Sequence, residues 1–375
     1  MKRLLIATDH FLPRWDGISR FLSSIIPSLV KHFEITVIAP DFGPLPKDFG
    51  VTMVRFPHWR LSINAFQPAT ANRKILAEQV RRADAVFIQA MGPIGLAARR
   101  EAYKQNKPII AYIHSIEWDL FSRGLTSHDF MRRLIRSVIK RAAIMHYNRC
   151  DLLLVPSLEV KELFTWMRIS STKRIIPLGV DTEYFSPSEN KAKEKQQLGI
   201  DPSHVVIGYT GRLAREKSML TLQRAFLRLC RRHRDVELLV VGFGIPSLEH
   251  LFMDKERMHF TGQRDNVVDY LRAMDIFVLP SLTETSSLCT MEAMSCAVAP
   301  VVTQVGLVKD YVQEGYNGLF FPKENSFALS KKLEQLLAEP KLLVKLQDNA
   351  RKTIVSSYSW EKTVAQLITA INEYC

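Results

Sequence analysis

Apolar residues in this chain gather in short uninterrupted runs, and between the runs they return every three or four positions. Short continuous runs fit strands buried on both faces, and the amphipathic intervals fit the helices that cover them, so the pattern predicts repeated βαβ units around parallel sheets. In the first half, Leu4–Ala7, Ile35–Ala39, Thr52–Phe56, Ala85–Gln89, Ile109–Ile113 and Leu152–Pro156 read as strands of one sheet, and Arg174–Pro177 is a candidate for another. After Gly179-Val180-Asp181, a polar, lysine-rich stretch from Ser186 to Gln197 reads as an interdomain linker. The alternation resumes with Val205–Thr210, Glu237–Val241, His259–Thr261, Ile276–Pro280, Ala299–Thr303 and Gly318–Phe320. Ser359 to Tyr374 is amphipathic, with Trp360, Val364, Leu367, Ile368 and Ile371 on one side, and predicts a terminal helix. The fold class is α/β: two Rossmann-like domains in series, over about residues 1–178 and 190–350.

Composition supports that division. A chain of 375 residues is too long for one comfortable core, and 47% hydrophobic with 24% charged residues is the make-up of a soluble globular protein. No segment approaches the roughly 20 apolar residues of a membrane-spanning helix. Met1-Lys2-Arg3 and the apolar run behind it imitate an export signal, but Thr8, Asp9 and His10 cut the run short, so the segment reads as a first strand. The five cysteines are scattered, with no CxxC pair and no metal-ligand spacing, which implies a reduced, cytoplasmic setting and no metal site. The net charge of +13 lies in the first half: residues 1–178 hold 27 Lys+Arg against 14 Asp+Glu, and residues 179–375 hold 24 of each. Such asymmetry points to one face meeting something anionic, a nucleic acid or a membrane surface.

Two constellations carry candidate chemistry. In Ser281-Leu282-Thr283-Glu284-Thr285-Ser286-Ser287-Leu288-Cys289-Thr290-Met291-Glu292-Ala293-Met294, Glu284 sits at the C-terminal tip of a predicted strand and Glu292 one or two turns into the next helix. Ligands of open α/β sheets bind at that edge. Ser286 and Ser287 are good N-cap residues, and the free N–H groups of the first turn, near Leu288, offer a seat for phosphate or sugar oxygens. The carboxylates suit sugar hydroxyls, which donate to them, rather than phosphate, which they repel. The same residues also describe a capped helix with two solvated acids. The second constellation is Thr210-Gly211-Arg212-Leu213-Ala214-Arg215-Glu216-Lys217, again straight after a strand. Arg212 and Lys217 can converge there on one anion, Arg by its planar fork and Lys as a point charge, or stand as two solvated bases in a loop.

Arg212 to Lys217 followed by the spaced glutamates resembles the large retaining GT-B glycosyltransferase family, of the group 1 or family 4 type, which includes phosphatidylinositol mannosyltransferases, glycolipid glucosyltransferases and sucrose synthases. Further matches run through Ile176-Pro177-Leu178-Gly179-Val180-Asp181, Val240-Val241-Gly242-Phe243-Gly244, Phe260-Thr261-Gly262, Asp275 to Ser281 and Gly315-Tyr316-Asn317-Gly318. In the first half the likeness is thinner: Thr8 to Pro13 with Gly17 after it, and Ile113-His114 at a strand end. The resemblance implies two domains facing each other across a cleft, residues 1–178 for the acceptor with the terminal helix 359–375 crossing back to them, and 190–350 for a UDP- or GDP-sugar. It implies front-face displacement without metal or cofactor. Arg212, Lys217 and the helix N-terminus near Ser287 would stabilise charge on the leaving phosphate, Glu284 would hold the donor sugar and Glu292 the ribose, Gly17 would lie near the phosphates, and His114 would line the sugar pocket. The sequence departs from the family where Asp16 replaces the first glycine of a pair, where Thr285-Ser286-Ser287 replaces Gly-Phe-Gly, and where Ser218, Ala297 and Ala299 stand in place of glycine or proline. Gly242-Phe243-Gly244 is a weak dinucleotide fingerprint, and no Asp-x-Asp occurs, which argues against the metal-bound donor site of the other glycosyltransferase fold.

From Phe130 to Arg149 a helical pattern puts Met131, Leu134, Val138, Ala142 and Met145 on one face, with Arg132, Arg133, Arg136 and Lys140 largely opposite. This is either an ordinary surface helix or a membrane-surface element, since anionic lipid contributes on the order of 1 kcal/mol per basic residue. No nucleic-acid module is recognisable, so a nucleic-acid partner is not expected. The reading is a hexosyltransferase acting on a membrane lipid or lipid-linked glycan, peripheral to the inner face of the cell membrane. Its rivals are a nucleotide-sugar epimerase, which usually lacks the Glu-x7-Glu pattern, and a non-enzymatic basic binding protein, against which Arg212, Lys217, Glu284 and Glu292 count.

Overall fold

The computed structural model describes the chain apart from residues 15, 60–66, 115, 117, 119–128 and 285 and the side chains of 129, 130 and 132. It divides into two compact units, Met1–Pro177 with Thr363–Cys375, and Leu178–Lys362.

The first unit is built on strands β1 (Lys2–Ala7), β2 (Phe33–Pro40), β3 (Thr52–Phe56), β4 (Ala85–Ile88), β5 (Ile109–Tyr112), β6 (Leu152–Val155) and β7 (Thr172–Ile175), in the order β3-β2-β1-β4-β5-β6-β7. All pairs are parallel, in register Leu4↔Ile35 on one side of β1 and Leu4↔Ala85 on the other. β4, β5 and β6, and β1 from Leu4 onward, are apolar and buried because helices cover both faces of the sheet, and that produces continuous runs in the sequence rather than alternation. The helix Gly17–Leu29 shows the local logic: Phe21, Leu22, Ile25, Ile26 and Leu29 fall on one face and are buried. The terminal helix Trp360–Asn372 is tied to this unit by Thr363 Oγ1 donating to the Pro177 carbonyl (3.0 Å) and by an Arg174–Glu373 ion pair.

The second unit holds β8 (Val205–Thr210), β9 (Val236–Val241), β10 (Met258–Phe260), β11 (Ile276–Leu279), β12 (Ala299–Val302) and β13 (Leu319–Phe320), in the order β10-β9-β8-β11-β12-β13 and again all parallel. Separate apolar clusters cover its two faces, one around Phe277, Met291 and Ile354, the other around Tyr209, Phe226 and Leu333. Chain order reverses between β1 and β4 in the first sheet and between β8 and β11 in the second. At such switch points the loops leaving the C-terminal strand ends part and open a crevice for ligands.

The expected linker is a packed element. Asn190 caps a helix, Lys191–Gln197, and Lys195, only 5% exposed, drives its ammonium into Asp275 (2.7 Å) and the His204 carbonyl (2.7 Å). Lys191 reaches the other oxygen of Asp275 at 3.2 Å. A lysine-rich composition looks solvated, yet two lysines one helical turn apart converge here on a single carboxylate.

Candidate functional site

In the second unit the loops after β8 and β9 are joined backbone to backbone. Leu213 N–H donates to the Phe243 carbonyl (2.8 Å) and Ile245 N–H to the Leu213 carbonyl (2.9 Å). A side chain at Gly242 (φ +145°) would lie 1.9 Å from the Gly211 carbonyl oxygen, and one at Gly244 2.0 Å from that of Leu213, so only glycine permits this approach. The joint fixes the loop that carries both cations. Arg212 extends outward and pairs with Glu216 at 2.6 Å, while its carbonyl accepts from the buried Tyr209 hydroxyl at 2.9 Å. Lys217, at the end of the single 3-10 turn Arg215–Lys217, is drawn inward against Glu284.

Glu284 belongs to the loop after β11, which is held from several sides. Ser281 Oγ donates to Glu284 (2.7 Å), Thr303 Oγ1 to the Ser281 carbonyl (2.6 Å), Leu282 N–H to the Glu216 carbonyl (2.7 Å), and the Tyr311 hydroxyl to the Ser286 carbonyl (3.0 Å). Burial alone would lower the Lys217 pKa, but the charge of Glu284, with lesser help from Cys289 and Glu216, raises it above the usual lysine value, so Lys217 is a cation at neutral pH. Beside it, burial and Glu284 push the Cys289 thiol up to about 11.

The helix Leu288–Ser295 begins at this loop, and Glu292 is buried within it. Ser287 does not cap it as expected. With φ +49° it lies in the left-handed region, and its hydroxyl turns to Thr290 Oγ1 (2.8 Å) instead of the first-turn amides. Ser286 Oγ is buried and makes no hydrogen bond. Thus Gly211, Arg212, Lys217, Glu284, Ser286, Ser287, Leu288 and Glu292 share the C-terminal edge at the β8/β11 switch point, with a helix N-terminus whose amides the side chain of the cap residue, Ser287, leaves unengaged.

The first unit brings a second set together at its own C-terminal edge. Asp9, fully buried, accepts from the Ile94 and Gly95 amides (2.9 and 3.1 Å), and desolvation still pushes its carboxyl up to about 6. Asp16, in the place of a family glycine, caps the helix Gly17–Leu29 through the Ile18 and Ser19 amides and holds His10 Nδ1 at 2.7 Å. Hence the first-turn amides beside Gly17 already serve a carboxylate. His114 packs on Phe21 and Tyr112, its Nε2 lies 2.9 Å from Gln89 Oε1, and burial pulls its pKa down to about 3. A neutral His114 can orient or accept a hydrogen bond but is no acid near neutrality.

The basic helix spans Asp129–Tyr147, and the side chain of Arg132 lies outside the described residues. It packs through Ala143 and Tyr147, helped by Ile139 and Ile144, and His146 is buried with them. Its apolar stripe therefore faces away from the core: Met131 is 46% exposed, Leu134 53%, Val138 60% and Met145 65%. Arg133 and Arg136 are exposed on the same helix, and Lys140 lies over the outward-facing Trp166 ring at 5.3 Å. No described helix is long and apolar enough to cross a membrane.

Sequence reading missed the residues that hold these loops. Tyr311 carries no motif, and Ser281 and Asp9 lie inside quoted motifs that assign them no role, whereas Asp16 was visible as a departure from Gly-Gly.

Residues 15–184 match the family model for Glycosyltransferase Family 4, and residues 204–339 match that for glycosyl transferases of group 1. The chain is 24% identical to the alpha-monoglucosyldiacylglycerol synthase of Acholeplasma laidlawii, covering 93% of this chain and 91% of the relative. It is likewise 24% identical to the GDP-mannose-dependent alpha-(1-6)-phosphatidylinositol monomannoside mannosyltransferase of Mycolicibacterium smegmatis, over 97% of each chain. The Anabaena protein HepE, solved in complex with UDP, shares the fold over the full length of both chains with a TM-score of 0.80 at 17% identity.

Proposed function

Because the chain belongs to the group 1 and family 4 glycosyltransferases, with their GT-B fold, we propose that it moves a hexose from a nucleotide-diphosphate sugar to the hydroxyl of a membrane lipid or lipid-linked glycan, with retention and without metal. The observation that carries this reading is the convergence of Lys217, Arg212, Glu284 and an open helix N-terminus at one switch point. A diphosphate seated there meets two cations and several amides. Negative charge grows on the leaving phosphate in the transition state, and preorganised donors aimed at growing charge are the largest single contribution to catalysis in such sites. Each cation is balanced by a carboxylate in the ligand-free protein, Arg212 by Glu216 and Lys217 by Glu284. The donor diphosphate then displaces a weak exposed pair at Arg212, worth well under 1 kcal/mol, and not a strong one. Glu284, relieved of part of its hold on Lys217, accepts from donor-sugar hydroxyls. Glu292 serves the ribose, and in the first unit neutral His114 can accept a hydrogen bond from a hydroxyl. A phosphate oxygen takes the acceptor's proton.

The relatives named for diacylglycerol and phosphatidylinositol products favour a lipid acceptor, and the helix Asp129–Tyr147 offers the means of reaching one from the cytoplasmic face. Burying a Leu, Val or Met side chain completely contributes about 1.5–3 kcal/mol. Four such residues already half-covered by protein give roughly 3–6 kcal/mol on entering the interface, at least as much as Arg133, Arg136 and Lys140 against anionic lipid at about 1 kcal/mol each. Purified protein incubated with labelled UDP- and GDP-sugars in excess EDTA, with lipid vesicles present, tests the reading. Transfer to lipid supports it, whereas epimerised donor without transfer, or a strict need for magnesium or manganese, sinks it.

A further inference from the structure

Two basic side chains of the first unit bury nitrogens that no protein group meets, and they lie within reach of each other. Arg99 stands in the middle of the helix Pro93–Lys104, and His146 in the last turn of the helix Asp129–Tyr147. Nε and Nη1 of Arg99 and both ring nitrogens of His146 are covered and make no hydrogen bond. His146 is only 2% exposed, and the Arg99 charge joins burial in holding it down to about 3. Ala98 and Ala102 from one helix and Ala143 and Tyr147 from the other belong to the same apolar cluster, so these nitrogens lie in a packed seam between the two helices.

The protein supplies no counter-charge there. The groups acting on Arg99 are Arg149 and Arg100, which repel it, and the Cys150 thiol, which burial pushes up to about 12 and which is therefore neutral. Glu101, the one acid of the Arg99 helix, is taken by Lys104 at 2.8 Å, and Asp151 accepts from the Ile109 amide at 2.8 Å. Arg149 rests over the Tyr103 ring at 5.3 Å. Burial lowers the Arg99 pKa, but an arginine keeps its charge. A covered cation without an anion and covered donors without an acceptor are each costly, and a single ligand relieves both.

We propose that this seam binds a small oxyanion of the phosphate type, held by Arg99 and His146, with the exposed Arg149 adding attraction from outside. Atoms so fully covered admit a small ion and exclude a lipid headgroup or a nucleic-acid strand. Phosphate oxygens accept from the Arg99 N–H groups, and at neutral pH phosphate also carries a P–OH. It can therefore bond a neutral imidazole in either tautomer, accepting from N–H or donating to the bare nitrogen, whereas chloride can only accept. His146 precedes the start of β6 by a few residues, so the seam lies toward the N-terminal edge of the sheet, opposite the edge that carries Asp9, Asp16 and His114. The assignment is independent of the glycosyl-transfer reading and adds no chemical step.

The test uses the full chain in phosphate-free buffer, with sodium phosphate or sodium chloride added to equal ionic strength. Melting is followed by circular dichroism, and amide hydrogen exchange is read by mass spectrometry. The proposal expects phosphate to stabilise saturably, by about 5–10 °C at a hundred-fold excess over Kd, and to slow exchange in residues 95–104 and 141–150. Arg99→Met should abolish both effects, Arg99→Lys should keep part of them, and UDP and GDP binding should be the same in every variant. Any stability that His146→Leu gains over the parent should shrink as phosphate saturates the parent. Chloride as effective as phosphate, or an Arg99→Met variant that responds to phosphate as the parent does, overturns the proposal. So does protection by phosphate confined to residues 211–217 and 281–292, and so does protection of the seam by phosphatidylglycerol vesicles but not by phosphate. The exchange measurement on the parent needs no variant, and unchanged exchange in both segments at saturating phosphate overturns the proposal even if Arg99→Met fails to fold.

Discussion

Ala297→Gly should stabilise the protein. The helix Leu288–Ser295 ends in two hydrogen bonds, Val298 N–H to the Ala293 carbonyl (3.0 Å) and Ala297 N–H to the Met294 carbonyl (3.0 Å), the pattern that requires a left-handed residue between them. That residue is Ala297, with φ +55°. An alanine in the left-handed region costs about 1–2 kcal/mol through crowding of its Cβ, and glycine gives back about 0.4–1 kcal/mol through the greater freedom of the unfolded chain. The net is a gain of about 0.5–1 kcal/mol, or roughly 1–4 °C in the melting temperature of a unit this size. Ala297→Val should act oppositely, since a β-branched residue is strained further there. Thermal melts followed by circular dichroism decide the matter, with both variants scanned beside the parent at one rate. A glycine variant that melts below the parent refutes the reasoning, as does a valine variant that melts above it.

Other expectations follow from the same geometry. Arg212→Ala or Lys217→Ala should lower turnover by about 10² or more, some 2.7 kcal/mol of transition-state stabilisation, and near-normal turnover in a folded variant would remove that residue from the chemistry. His146→Leu should raise stability by about 1–3 kcal/mol in a denaturant titration, because both ring nitrogens of His146 are buried and make no hydrogen bond. Burial holds His114 and His146 down to about 3, below the ordinary unfolded value near 6.5. Each therefore contributes stability that is present above pH 6.5 and lost as pH falls, about 2 kcal/mol apiece by pH 5, while Asp9, raised to about 6, regains roughly 1 kcal/mol over the same descent. Net loss between pH 7 and 5, reduced in the His146→Leu variant, is the expected outcome of urea titrations at the two values. Reversing Arg133, Arg136 and Lys140 to Glu should weaken sedimentation with anionic vesicles, and Leu134→Ser with Val138→Ser should weaken it as much at high salt, where the charges are screened. Undiminished binding by both variants would make the helix an ordinary surface.

The central strands were legible because they are buried on both faces and show as apolar runs, as in β4, β5, β6 and β11; the seventh strand of the first sheet, only half-buried, starts at Thr172 rather than Arg174. Departures from the family's glycines were legible too, and three of them, Ser218, Ser287 and Ala297, occupy positive φ, so the backbone kept the glycine conformation while the residue changed. What could not be read depends on tertiary direction. Lys191 and Lys195 are linker-like until Asp275 is seen opposite them, and the stripe Met131–Met145 has the same spacing whether it faces core or solvent. The loss of the Ser287 cap follows from its positive φ, which aims the hydroxyl away from the amides that a serine with extended backbone would reach.

The most direct test of the central claim is transfer of labelled hexose from UDP- or GDP-sugar to vesicle lipid in excess EDTA, by the parent and by Lys217→Ala in parallel. The account predicts metal-free transfer by the parent and a loss of about 10² or more in the variant, with both proteins equally folded. Transfer that vanishes in EDTA and returns with manganese, or a Lys217→Ala variant as fast as the parent, would contradict it.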